Sequence, residues 1–204
     1  MGKPVIGLTG PTGAGKSTVA SALERLGCAI VDADRAARSI TGRADCLARL
    51  KAVFGADIVR TDGGLNRQKL AARAFSSPEN TKKLNAVTHP AIIAECERRL
   101  TRAKEKDCRA VILDAPLLFE SGTQGLCDAT VAVLAPDASR LKRIMARDGI
   151  GEAEARERMG AQHGGEYYRK RADYTFDGST DWSVFDETVG ALLDRILRET
   201  DEKA

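Results

Sequence analysis

Residues Gly10 to Ser17, Gly-Pro-Thr-Gly-Ala-Gly-Lys-Ser, match the pattern G-x-x-x-x-G-K-[ST] without a gap. Each position has a chemical reason. Glycines let the backbone curl until its N–H groups point inward at phosphate oxygens. A helix opening near Lys16 turns its positive end toward the same anion. Lys16 reaches for the β- and γ-phosphates, and Ser17 offers a hydroxyl to Mg²⁺. The expected nucleotide contacts are therefore Thr12, Gly13, Ala14, Gly15, Lys16, Ser17 and Thr18. The loop specifies a nucleoside triphosphate and not a reaction.

Other residues supply charge. Asp32 and Asp34 are expected at the end of a strand, where positions i and i+2 share a face and the strand end rims a ligand crevice. Two carboxylates would then stand beside the phosphate loop. The competing reading is that Asp34 caps a helix starting at Arg35. Asp114 closes an apolar run, the place for a carboxylate that holds the water shell of Mg²⁺; capping the next turn is the alternative. Arg140, Arg143 and Arg147 recur at i, i+3 and i+7, which puts three guanidiniums on one helix face. Such a face is usually solvated, but phosphoryl transfer also needs positive charge around the group in flight.

The elements that must hold these residues follow from the apolar pattern. Val5–Thr9 reads as a buried strand, Lys16–Leu26 as a helix with Gly27 at its C-terminal cap, and Cys28–Asp32 as a second strand. This βαβ unit implies a parallel sheet. Helical patterns dominate from Arg35 to Lys106: Arg43–Phe54, Asn66–Phe75, and a start at Ser77-Pro78-Glu79. Pro90 is expected to split the last of these, with His89 ending one helix and capping the next. Strands are expected at Arg109–Leu113, Ala129–Leu134 and Tyr174–Phe176, and helices at Asp137–Arg147, Glu152–Met159 and Phe185–Leu197. The expected fold is α/β: a P-loop kinase-type parallel sheet flanked by helices, forming a single domain over 1–204. A helical insertion spans about 35–106 and a charged helical segment about 137–165.

Composition excludes several classes. The chain has 204 residues, 43% hydrophobic and 30% charged, with 32 Lys+Arg against 29 Asp+Glu. A net charge of +3 gives no basis for bulk nucleic-acid or membrane binding. No signal-peptide pattern and no apolar run of membrane-spanning length is found, so a cytoplasmic location is expected. Cys28, Cys46, Cys96, Cys108 and Cys127 are odd in number and widely spaced, which disfavours a zinc finger or a disulfide framework. They read as reduced thiols packed as small hydrophobes. A guanine-specific Asn-Lys-x-Asp is absent, and the length disfavours a large motor or transporter ATPase. Small nucleotide and metabolite kinases remain.

Read together with the loop, five further segments resemble the dephospho-CoA kinase family. They are Val31-Asp32-Ala33-Asp34; Phe54-Gly55 with Leu65-Asn66-Arg67; Leu84-Asn85 with His89-Pro90; Asp114-Ala115-Pro116-Leu117-Leu118-Phe119-Glu120; and Arg143-x-x-x-Arg147-Asp148. With Gln162 and Ala172-Asp173-Tyr174 they cover about residues 5–175 in the family's order. The resemblance implies transfer of the γ-phosphoryl of ATP to the ribose 3′-hydroxyl of dephospho-CoA, with ATP and Mg²⁺ as cofactors. It implies that Asp34, Lys16, Arg143 and Arg147 are catalytic, that Ser17 and Asp114 serve the metal, and that the charged segment at about 137–165 is a lid. Asp34, Arg67, His89, Leu117, Phe119 and Glu120 would meet the acceptor, with core packing an alternative for the apolar ones. Asp32 is left between a metal-water role and a structural one, and Arg140 has no support from the family. One departure stands out: the family runs to an Asn-containing turn after Ala-Asp-Tyr, whereas Thr175-Phe176-Asp177-Gly178-Ser179 has no Asn. Another small P-loop kinase, such as a nucleoside monophosphate kinase, is the competing activity; a non-catalytic nucleotide-binding regulator is the third class. No partner beyond the small-molecule substrate is expected, and the oligomeric state is not readable.

Overall fold

A computed structural model describes residues 2–202. Five strands, β1 (Val5–Thr9), β2 (Ala29–Asp32), β3 (Val111–Asp114), β4 (Ala129–Leu134) and β5 (Tyr174–Asp177), form one sheet in the order β2-β3-β1-β4-β5. β1 pairs in parallel with β3 and β4, and β4 pairs in parallel with β5. All of β1 is buried, as expected of a strand covered on both faces, and this explains why Val5–Thr9 is an unbroken apolar run. The register sets Leu8 opposite Asp114, so the acid that ends β3 lies next to the strand that feeds the phosphate loop.

α1 (Lys16–Arg25) buries Val19, Ala20, Ala22 and Leu23 against the sheet core. It ends as its sequence requires. Gly27 adopts φ +86°, its N–H donates to the Glu24 carbonyl, and the Cys28 N–H donates to the Leu23 carbonyl. These two bonds satisfy carbonyls that the helix end would otherwise leave open. The closing helix, α9 (Phe185–Asp201), packs Phe185, Val189, Leu193 and Ile196 into the same core. Trp182, just before α9, is largely exposed, with its ring 5.2 Å from that of Phe185.

The chain forms two compact units, Met1–Val31 with Leu100–Ala204, and Asp32–Arg99. The second unit is helical. It holds α2 (Ala33–Thr41), α3 (Ala44–Phe54), α4 (Arg67–Ala74) and most of α5 (Pro78–Lys104). Its core is its own: Ile40, Leu50, Phe54, Ile58 and Leu70 are among the side chains buried together. Asn66 and Ser77 cap their helices through bonds from the backbone N–H groups of Lys69 and Asn80. The first unit also carries α6 (Asp137–Asp148), α7 (Glu152–Gly160) and α8 (Gly165–Arg169). α8 was not expected; it is a single turn, too short for its periodicity to register. No helix among the described residues is long and apolar enough to cross a membrane.

The expected break at Pro90 does not occur. α5 runs through it without interruption, so His89 neither ends a helix nor caps one. Pro90 removes one N–H from the ladder and crowds the carbonyl four residues back. Leu84, Val87, Ala91 and Ile92 nevertheless form one apolar stripe on both sides of it and pack on the helical core. That continuous stripe outweighs the local cost. Pro90→Ala should therefore raise stability by about 1–3 kcal/mol. Thermal unfolding would show this as a midpoint several degrees higher, and a lower midpoint would mean that the core depends on the proline's own geometry.

None of the five cysteines is in a disulfide. Burial pushes the thiols of Cys28 and Cys96 up to about 11, and that of Cys46 upward. At pH 8, well below 11, Cys28 and Cys96 are held as unreactive thiols rather than thiolates. Alkylation of the folded protein at pH 8, read by peptide mass, should modify Cys108 and Cys127 before Cys28, Cys46 and Cys96. Early labelling of the buried three would contradict this packing.

Candidate active site

β1 delivers the chain to Gly10, and the loop then turns into α1 at Gly15, which takes φ +100° as the residue capping the helix. The Ala14 N–H donates to the Pro11 carbonyl, closing a tight turn. No side chain caps α1. Its first N–H groups have no intrahelical partner, so they and the helix dipole are available to an anion. Lys16 pairs with Asp114 across the β1–β3 register, both side chains being mostly buried. Ser17 is exposed in the first turn of α1.

The outer face of the loop is held by arginines from α6. Arg140 Nε donates to the Thr12 carbonyl at 2.9 Å. Arg143 Nη1 donates to the carbonyls of Gly13 and Ala14, each at 3.3 Å, and its Nη2 to that of Gly178 at 2.9 Å. Arg147 bonds Asp148 and lies 3.5 Å from the Thr12 hydroxyl. Asp148 also pairs with Arg158, and the bond from Arg147 is the first of the influences that hold its carboxyl below the usual range. The Thr12 N–H donates to Gln162 Oε1 at 2.8 Å. The i, i+3, i+7 face thus turns toward the phosphate loop, with Arg143 and Arg147 still exposed to solvent. Arg140, which had no support from the family pattern, is the most deeply buried of the three.

The turn after β5 presses on the same loop. A Cβ on Gly178 would lie 1.8 Å from the Ala14 carbonyl oxygen, so only glycine fits there. The Gly178 N–H donates to Leu134. Asp177 closes the turn by accepting from the hydroxyl and N–H of Ser179, and these bonds hold its carboxyl below the usual range. This is where the family pattern called for an Asn. Here Asp177-Gly178-Ser179 forms the turn without one, and Asp-Gly is itself a turn signal.

After β3 the apolar segment divides. Leu118 is fully buried, and Phe119 meets Tyr167 edge-on with ring centroids 6.4 Å apart. Leu117, Glu120, Gln162, His163 and Tyr168 line a cavity of about 330 Å³. Glu120 Oε1 lies 3.9 Å from His163 Nε2, while its Oε2 is buried with no hydrogen-bond partner among the described residues. Burial, and then the charge of Glu120, push the Tyr168 phenol up to about 12.

The remaining expected residues belong to the helical unit. Asp34 is not on a strand: α2 starts at Ala33, and the carboxylate that caps it is Asp32, accepting from the Arg35 N–H at 2.9 Å. The two acids therefore do not share a strand face, and the capping role belongs to Asp32. An acid within the first helical turn is favoured by the dipole, which accounts for Asp34 continuing the helix rather than the strand. Arg67 opens α4, donates to the Arg38 carbonyl at 3.3 Å, and lines a cavity of about 540 Å³ with Arg60, Asn66 and Gln68. His89 sits mid-helix, and burial alone moves its imidazole below the ordinary 6.5, so it is neutral at pH 7.

A glycine-rich loop between a central parallel strand and an uncapped helix, with Lys16 and a strand-end carboxylate beside it, defines a P-loop kinase fold. A dephospho-CoA kinase from Campylobacter jejuni shares that fold (TM-score 0.60, 23% identity, 95% of this chain and 97% of that one). The sequence goes further. The dephospho-CoA kinase family model matches residues 4–183. A dephospho-CoA kinase of Corynebacterium diphtheriae is 39% identical over 97% of this chain and 99% of its own. A Thermus thermophilus protein of known structure superposes with a TM-score of 0.79 at 35% identity, over 98% of both chains. The chain belongs to the dephospho-CoA kinase family.

Gly178→Ala tests the packing of the β5 turn on the loop. The added Cβ must displace the Ala14 peptide, so the ATP dissociation constant should rise by at least about tenfold. Titration with ATP, on a variant whose circular dichroism matches the parent, checks this; unchanged affinity would show that the loop adjusts freely.

Proposed function

We propose that this chain transfers the γ-phosphoryl group of ATP to the ribose 3′-hydroxyl of dephospho-CoA, giving coenzyme A and ADP. The observation that carries the reading is the single family match over residues 4–183, which takes in both the phosphate loop and the helical unit. That extent also favours it over a nucleoside monophosphate kinase.

The roles follow from the chemistry of each group. The N–H groups of the loop and of the start of α1, with Lys16, bind the triphosphate. No group of three or more His, Cys, Asp or Glu side chains among the described residues is placed to hold a metal alone. Ser17 and Asp114 do fit Mg²⁺ that arrives on nucleotide phosphates, the usual mode for that ion. Bound there, Mg²⁺ would neutralise charge on the phosphates. Arg147, exposed beside Thr12, adds positive charge around the transferring group. Arg143 would add charge beside it and also shape the loop, through the bonds of its Nη1 and Nη2 to loop and turn carbonyls. The acceptor oxygen attacks the γ-phosphorus as the bond to the β,γ-bridging oxygen breaks. Asp34 orients the hydroxyl and takes its proton. A carboxylate is a weak base, which suffices because in a loose transition state that proton leaves late.

The helical unit, with Arg67 and a neutral His89, would bind the acceptor, and Leu117, Phe119 and Glu120 would line its path. The segment at about 137–165 would serve as the lid. Both substrates are soluble small molecules, so the reading places the protein in the cytoplasm and requires neither membrane nor nucleic acid.

The direct test is incubation with ATP, Mg²⁺ and dephospho-CoA, with the product identified by mass and its phosphate located on the 3′-oxygen. A product made only from nucleoside monophosphates would overturn the assignment. Asp34→Asn should lower turnover by about 10²–10⁴ with ATP affinity kept or raised. Asp32→Asn is the matched control: Asn caps as well as Asp, so stability and turnover should stay near the parent. A folded Asp34→Asn enzyme within about threefold of parental turnover would remove Asp34 from the chemistry, judged against that range.

A further inference from the structure

The most deeply buried charge of the sheet unit is Arg140, whose side chain is only 4% exposed. Three observations need a common explanation. Nη1 pairs at 2.8 Å with Asp137, a carboxylate that is 83% exposed. Nε donates to the Thr12 carbonyl at 2.9 Å. Nη2 is buried and has no hydrogen-bond partner among the described residues. A buried guanidinium with an unmatched donor is costly, and an apolar side chain would fill the same space without that cost. Packing alone therefore does not account for an arginine here. The contact with Thr12 is the part that an apolar side chain could not make.

That contact has a geometric consequence. The peptide bonds of the described residues are trans. In a planar trans peptide the C=O and the following N–H point in opposite directions. Fixing the Thr12 carbonyl outward, toward α6, fixes the Gly13 N–H inward, on the concave side of the loop. The α6 backbone holds the same place: a Cβ on Gly13 would lie 2.8 Å from the Arg140 carbonyl oxygen. Gly13 is thus seated against α6 while its N–H is turned away from it.

We propose that Arg140 is a positioning residue for nucleotide binding, holding the Thr12–Gly13 peptide so that the Gly13 N–H is aimed at the triphosphate before ATP arrives. It touches neither substrate. The inference rests on the nucleotide-loop part of the function proposed above and is independent of the acceptor.

The test measures the ATP dissociation constant with a fluorescent ATP analogue, without acceptor, alongside the unfolding midpoint and the KM for dephospho-CoA. Arg140→Met keeps the length and removes all donors. It should weaken ATP binding by at least about tenfold while leaving the KM for dephospho-CoA within about twofold. Arg140→Lys, which keeps a charged donor of similar reach, should recover at least half of the loss on a logarithmic scale. If Arg140→Met does not fold, Arg140→Gln is read in its place by the same criteria. A folded variant that binds ATP as the parent does overturns the role of Arg140. So does a variant in which both substrates weaken in step with a falling folded fraction, since that marks a merely structural part. A parent chain that binds no ATP overturns the loop assignment and this inference together. A parent that binds ATP but makes no CoA overturns only the acceptor reading.

Discussion

A loop that presents its N–H groups to a phosphate must turn its carbonyls the other way, and those carbonyls need donors. This constraint governs the structure around residues 10–16. Arg140 and Arg143 supply charged donors to three successive loop carbonyls, those of Thr12, Gly13 and Ala14. The turn after β5 is brought into the same arrangement, because Arg143 also binds the Gly178 carbonyl and Gly178 lies against Ala14. Charged donors suit the task, since bonds from ionised groups are roughly twice as strong as neutral ones. The nucleotide side of the loop is therefore shaped from its far side, by groups that the nucleotide need not touch.

The helical unit solves a different problem. It carries several of the residues expected to meet the acceptor, and it must keep them in place on a core of its own. It does so with short helices ended by local signals and one long helix that tolerates a proline. The caps at Asp32, Asn66 and Ser77 are each a single side-chain oxygen taking one backbone N–H. Such bonds set where each helix begins, and so which way the residues of its first turn face.

Much of this was legible from residue types and spacing. The phosphate loop, the five strands and the amphipathic helices followed from an unbroken motif and from apolar periodicity, signals written in neighbouring residues. What escaped depended on tertiary contacts. The proline rule at Pro90 was sound locally but yielded to an apolar stripe packed on both sides of it. The cap of α2 is Asp32 rather than Asp34 because the helix starts at Ala33, directly after the strand, and residue types alone do not fix such a boundary. Arg140 looked like a surface charge because its position on α6 does not say what α6 packs against. The Asp177-Gly178-Ser179 turn lacks the family's Asn, and the close approach of Gly178 to Ala14 that it makes is a tertiary contact no residue pattern states.

That turn has a practical consequence. The chain contains one tryptophan. It is Trp182, four residues beyond the glycine that abuts the phosphate loop, largely in water and resting against Phe185 at the head of α9. Intrinsic tryptophan emission from this protein is therefore a single-site signal, with no second indole to dilute it. The chromophore is tethered by a few residues to a backbone contact of the nucleotide loop, so the molecule carries its own optical reporter of that neighbourhood.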